Sequence, residues 1–132
     1  FILSNDCCHY GADFQFSPHG DTPEGHQKMV EVEREIIKDY LTGPLTSEGL
    51  QQFAKLTVGT RESVASLWCG GSPIALGLLT LLHLIPTLSG QPLAQSDSLR
   101  TAPLEATCGV RMTCPPPAHH HWVGHLAAGF YP

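Results

Sequence analysis

Apolar positions recur at helical spacing in three segments between residues 22 and 85, and beyond Pro86 that periodicity stops. In the first segment Met29, Val32, Ile36, Ile37, Tyr40 and Leu41 form one stripe along a helix. Thr22 is placed to cap it, and Pro23 suits the first helical position, where a missing N–H costs nothing. Gly43 fits the left-handed position after the last turn, and Pro44 blocks continuation. A second helix is predicted from Thr46 or Ser47, with Leu50, Phe53, Ala54, Thr57, Val64, Ala65 and Trp68 facing inward. Gly59 in its middle marks a kink, a close helix contact or a boundary between two shorter helices. The third helix is predicted to open at Ser72-Pro73 and to run from Ile74 to Leu84. Only Gly77, Thr80 and His83 interrupt its apolar surface, so it requires burial on most sides.

The flanks read differently. Gly11, Pro18 and Gly20 break residues 1–21 into irregular structure, with Phe14 and Phe16 as a brief strand or a packed loop. After Pro86, turn signals at Ser89-Gly90, Pro92, Ser96-Asp97-Ser98 and Pro103 lead to the short run Pro115-Pro116-Pro117. The pattern therefore predicts an all-α fold. It divides into an irregular segment 1–21, a partial bundle of about three helices over 22–85, and a low-order Pro- and His-rich tail over 86–132.

Composition narrows the functional classes. A chain of 132 residues with 42% hydrophobic residues supports one domain with a core. The formal net charge of -5, with Lys28, Arg34, Lys38, Lys55 and Arg61 scattered among acids, argues against a nucleic-acid partner. The longest apolar run, Ile74–Ile85, is too short for a bilayer-spanning helix of roughly 20 residues, so no membrane partner is expected. No secretory or transit segment is visible, and a soluble, cytoplasmic protein is expected. The five cysteines, Cys7, Cys8, Cys69, Cys108 and Cys114, form no C-x-x-C pair and are expected to be reduced.

Candidate chemistry is sparse. His121 and His125, at the end of the cluster His119-His120-His121, would share one face of a helix and are the candidate metal ligands. Neither a zinc-module cysteine spacing nor an orienting carboxylate accompanies them, so zinc is not expected as a native cofactor. Cys7-Cys8-His9 and the Ser17–Asp21 loop lack the oxyanion donors and cross-fold assembly of nucleophilic sites. Gly70-Gly71-Ser72 running into a helix start exposes free N–H groups suited to a phosphate or to tight helix packing.

One ordered series adds a family. Gly11-Ala12-Asp13-Phe14, Tyr40-Leu41-x-Gly43, Lys55-Leu56-Thr57-Val58-Gly59-Thr60, Glu62-Ser63 and Gly71-Ser72-Pro73-x-Ala75 follow one another across about half the chain. The series resembles the C-terminal domain of the 4-hydroxyphenylacetate 3-hydroxylase and 4-hydroxybutyryl-CoA dehydratase family, which is acyl-CoA dehydrogenase-like. That resemblance implies a helical bundle domain that contributes to a flavin cleft and to subunit packing. It implies FAD as cofactor, with Gly70, Gly71 and Ser72 as the candidate cofactor-binding residues. Catalytic residues would then lie in preceding domains, and the chain would be a fragment of a flavin-dependent oxidoreductase, inactive alone. Gly77 departs from the basic residue that dehydratase-like members carry after Ser-Pro. The competing expectation is a non-enzymatic interaction module. On either reading, helix 74–85 contacts a second copy or missing N-terminal domains.

Overall fold

A computed structural model describes residues 3, 6–58, 67–100, 118–119 and 121–132. Its fold is mixed α/β, and this overturns the all-α expectation. Among the described residues, three helices, α1 (Pro23–Tyr40), α2 (Ser47–Thr57) and α3 (Gly71–Leu84), combine with four strands. The strands are β1 (His9–Gly11), β2 (Gly43–Pro44), β3 (Ser89–Asp97) and β4 (His121–Tyr131). They form one antiparallel sheet in the order β1-β4-β3-β2.

The segment expected to be a low-order tail supplies the two long strands. β3 and β4 pair from Ser89↔Tyr131 to Asp97↔Gly124. Neither strand has the usual β-rich composition: β3 reads SGQPLAQSD, and Pro92 lies at a register shift, the place a sheet tolerates proline. Trp122, Gly124, Leu126, Ala128 and Phe130 alternate along β4, a period of two with small residues at every other inward position. The pairing brings together residues far apart in sequence, so it leaves little local signal.

The helices keep the punctuation read from the sequence, with adjustments. The Thr22 hydroxyl accepts from Gly25 N at 3.1 Å with Pro23 at the first position, and Thr46 caps α2 by accepting from Gly49 N at 3.0 Å. Gly43 takes φ +75°, the left-handed turn that sends the chain into β2. α2 ends at Thr57, earlier than expected, and Trp68 returns from outside any helix to stack edge-on against Phe53 at 5.2 Å. Val64 and Ala65, proposed as part of its inward face, and Gly59 lie outside the described residues. α3 begins at Gly71 with Gly70 as its cap, so Ser72 does not cap it.

Gly71 has a different task. A Cβ there would collide with the Thr57 hydroxyl and stand 2.8 Å from Thr57 Cβ, so glycine lets α3 start hard against the end of α2. The core joins both layers. Tyr10 on β1 stacks on Trp122 of β4 with ring centres 5.1 Å apart, while Met29, Leu41, Leu50, Phe53, Leu78 and Leu88 are fully buried. No described helix is long and apolar enough to cross a membrane.

Gly90 tests whether residues 89–97 are held as described. A Cβ on Gly90 would run into the Leu41 backbone carbonyl and sit 3.1 Å from the Phe130 ring. Gly90→Ala should destabilise the chain by about 1–3 kcal/mol in chemical denaturation. Unchanged stability would mean that this segment is not packed against the end of α1.

Candidate functional site

Two features stand apart from ordinary core packing: a charge-free helix face on α3 and a buried polar cluster between α1 and the sheet. α3 carries no Asp, Glu, Lys or Arg in its 14 residues. It buries Gly71, Ala75, Leu78 and Leu81, while Leu76 stays 69% exposed and Leu84 63%. The outward side reads Ser72, Leu76, Thr80, His83 and Leu84. Even its threonine is internally satisfied, donating its hydroxyl to Leu76 O at 2.9 Å. Beside that stripe, Ala54, Val58, Ala75, Leu76 and Leu79 line a shallow groove between α2 and α3 with Lys55 at its rim. Leu79 also borders a second hollow of mixed lining with Leu45, Thr46, Ser47, Leu82, His83 and Pro86.

The polar cluster is built from α1 outward. His26 and Glu33 stand seven residues, about two turns, apart on the same side of α1 as Met29, Val30, Ile36 and Ile37. Glu33 is 1% exposed, and its Oε1 accepts Cys8 N–H at 2.8 Å. The carboxylate lies so close to Gly124 that a Cβ there would be 2.7 Å from Oε1 and 2.8 Å from Oε2. Burial pushes its pKa up to about 7; the Cys8 N–H opposes the shift, the Asp97 charge adds to it and the Gln95 amide opposes it. The Gln95 Nε2 atom itself reaches no hydrogen-bond partner among the described residues.

Asp97, at the end of β3 opposite Gly124, is also buried. Its Oδ1 accepts Leu99 N–H at 2.9 Å and Arg100 N–H at 3.2 Å, and its Oδ2 lies 3.1 Å from His26 Nε2 and 3.4 Å from Arg100 Nε. Trp122 meets the His26 ring edge-on at 4.8 Å, and the His119 ring stands 5.6 Å from it. Sequence reading passed over this cluster. The signal was a histidine and an acid at positions 26 and 33 of the stripe Gly25, His26, Met29, Val30, Glu33, Ile36, Ile37, where apolar residues belong.

The residues singled out from sequence fare unevenly. His121 and His125 lie on strand β4, not on a helix, so four residues separate them by about 13 Å, beyond the reach of one ion. His121 instead stacks on Phe14 at 5.0 Å, with Nδ1 3.2 Å from Asp13 Oδ2 but off-line for a hydrogen bond; His125 is exposed. Among the described residues no three His, Cys, Asp or Glu side chains converge as a metal site. Cys108, Cys114 and His120 lie outside those residues.

Cys7 and Cys8 are free and buried, and burial and the Glu33 charge push both thiols well up, so neither is a poised nucleophile. Ser17, His19 and Asp21 are exposed on one loop, and the His19 backbone N–H is engaged by the Tyr10 hydroxyl. Gly70 and Gly71 are buried at the α2–α3 junction, where the approach of Thr57 occupies the glycine surface, and Ser72 points to solvent. No protein family, curated protein or solved structure matches this chain.

Glu33 makes stability depend on pH in a fixed direction. Its folded pKa of about 7 lies above the ordinary 4.5, so the folded state binds the proton more tightly. Its contribution is therefore fully present below about pH 4.5 and is lost as pH rises from there through about 7. Glu33→Gln should stabilise the protein by roughly 2–4 kcal/mol at pH 8 and have little effect at pH 5. Denaturation midpoints of wild type and variant that stay parallel across this range would contradict that assignment.

Proposed function

We propose that this chain is an assembly module in which the outward face of α3 docks a second copy of itself. One observation carries the reading: a 14-residue helix without a charged side chain leaves Leu76 and Leu84 mostly in water. A helix lying on a protein surface ordinarily turns polar residues outward. Moving a leucine side chain out of water contributes about 1.5–3 kcal/mol, so two leucines and the flanking groove are a substantial driving force.

A second copy is the fitting occupant because the face is neutral. The chain's formal charge of -5 resides elsewhere, so two α3 helices meet without like charges facing one another. An isologous contact of this kind places Leu76 of one copy near the groove of the other and closes as a dimer. The resemblance to the flavin enzymes implies subunit packing through the corresponding domain. The assembly reading uses that part alone and requires no flavin, whose role rests on the ordered motifs and on no feature of the Gly70–Ser72 turn.

Leu76 is the informative position because its exposure allows a charge without harm to the core. In sedimentation across a concentration series, wild type should associate, and Leu76→Asp should weaken association at least about tenfold, equivalent to 1.4 kcal/mol. The helical circular-dichroism signal and melting point should stay as in wild type. A wild type that remains monomeric throughout, or a variant that associates equally well, would overturn the proposal.

A further inference from the structure

We propose that His26 and His119 together bind a borderline-soft divalent cation such as Zn²⁺, with Asp97 as the carboxylate that orients His26. This is independent of assembly through α3. The starting point is the tautomer of His26. Asp97 accepts two backbone N–H groups and faces the Arg100 guanidinium, so it stands toward His26 as an acceptor. His26 therefore donates from Nε2 at 3.1 Å, which in the neutral ring leaves the lone pair on Nδ1. That is the arrangement of a metal-binding imidazole, whose second nitrogen gives its hydrogen to a carboxylate.

The partner ring is in place. Two imidazoles coordinated at about 2.1 Å and a tetrahedral angle have ring centres roughly 5–6 Å apart. His26 and His119 stand 5.6 Å apart, tilted by 57°. The His119 Nδ1 atom is buried and has no hydrogen-bond partner among the described residues, so a polar nitrogen beside His26 is left unsatisfied. Trp122 holds the His26 ring edge-on, and its carboxylate neighbour is fixed by the turn at residues 98–100, so His26 is pre-oriented.

Since the described residues bring no three ligands together, the ion would keep water in its remaining positions. Imidazole donors select Zn²⁺, Co²⁺, Ni²⁺ or Cu²⁺ over Mg²⁺ and Ca²⁺, which prefer oxygen.

The test titrates the full chain with Zn²⁺ by calorimetry and with Co²⁺ by visible absorption, with Cu²⁺ spin resonance counting coordinated nitrogens. One ion per chain is expected, with two nitrogen ligands and no competition from Mg²⁺. His119→Ala, at a half-buried position, should weaken binding at least tenfold. Asp97→Asn should weaken it about 10–100-fold, as loss of an outer-shell carboxylate does. His121→Ala and His125→Ala should leave it unchanged. Circular dichroism checks that each variant folds, and His119→Ala decides alone if Asp97→Asn does not. No saturable binding, or binding lost in His121→Ala or His125→Ala but kept in His119→Ala, would overturn the site.

Discussion

A single buried carboxylate ties the helical layer to the sheet. Glu33 accepts the Cys8 N–H and lies against the α-carbon of Gly124, so α1 touches the chain entering β1 and the middle of β4 at once. Those two segments are themselves joined, with Cys7 N–H donating to Gly124 O at 3.0 Å and Gly124 N–H to Cys8 O at 2.8 Å. Only glycine at 124 leaves room for the carboxylate. The contact fixes how α1 lies on the sheet, and His26, two turns toward its N-terminus, consequently falls on Asp97 at the strand position opposite Gly124. Burying the charge weakens its hold on ionisation, which is why Glu33 ties structure to proton concentration near neutrality.

The contacts of α1 with the sheet and the contacts around α2 and α3 are secured by different physics. Toward the sheet, the contacts are directional: a carboxylate on a backbone N–H, an imidazole on a carboxylate, and the stacked rings of Tyr10 and Trp122. Toward α2 and α3, they are apolar and shape-driven, with Phe53 against Trp68 and Gly71 seated on Thr57. Directional contacts specify one arrangement, and their cost of desolvation is recovered only when every partner is in place. Apolar contacts are permissive, so the α2–α3 side can accept a further surface without rearranging the sheet side.

What the sequence revealed follows the same division. Helix ends are encoded locally, by Thr22-Pro23, by Thr46 and by Gly43-Pro44, and they were legible from the residues alone. The face of α1 was legible only approximately. Choosing Val32 in place of Val30 rotated the stripe and hid Glu33 and His26, the two polar residues that the core accepts. The strands were not legible because β3 mixes Gly, Pro, Gln and Ser, and its stability comes from pairing with β4 more than twenty residues away. In β4 the alternation from Trp122 to Phe130 was present, but glycine and alanine at inward positions mute its hydrophobic contrast. The candidate metal pair was read on the wrong element for the same reason: residues four apart share one face of a helix or of a strand, but they stand about 6 Å apart on the first and about 13 Å apart on the second.

The third helix shows how one physical premise carries over from the expected fold to the observed one. Its sequence requires cover that three helices cannot supply, and the premise pointed to something missing. Part of the cover comes from within the chain: Leu81, Ile85 and Leu88 face Ala128, Phe130 and Tyr131 across a crevice. The sheet accounts for one flank and α2 for another, which is why Ala75, Leu78 and Leu81 are buried. Neither reaches Leu76 or Leu84, whose exposure persists after both layers are in place. The apolar surface of α3 left in water is thus reduced from a whole helix to one stripe. A stripe one side chain wide, with Leu76 and Leu84 about 12 Å apart along the axis, suits the side of another helix better than a bulky domain, since a narrow elongated apolar surface can cover both leucines at once.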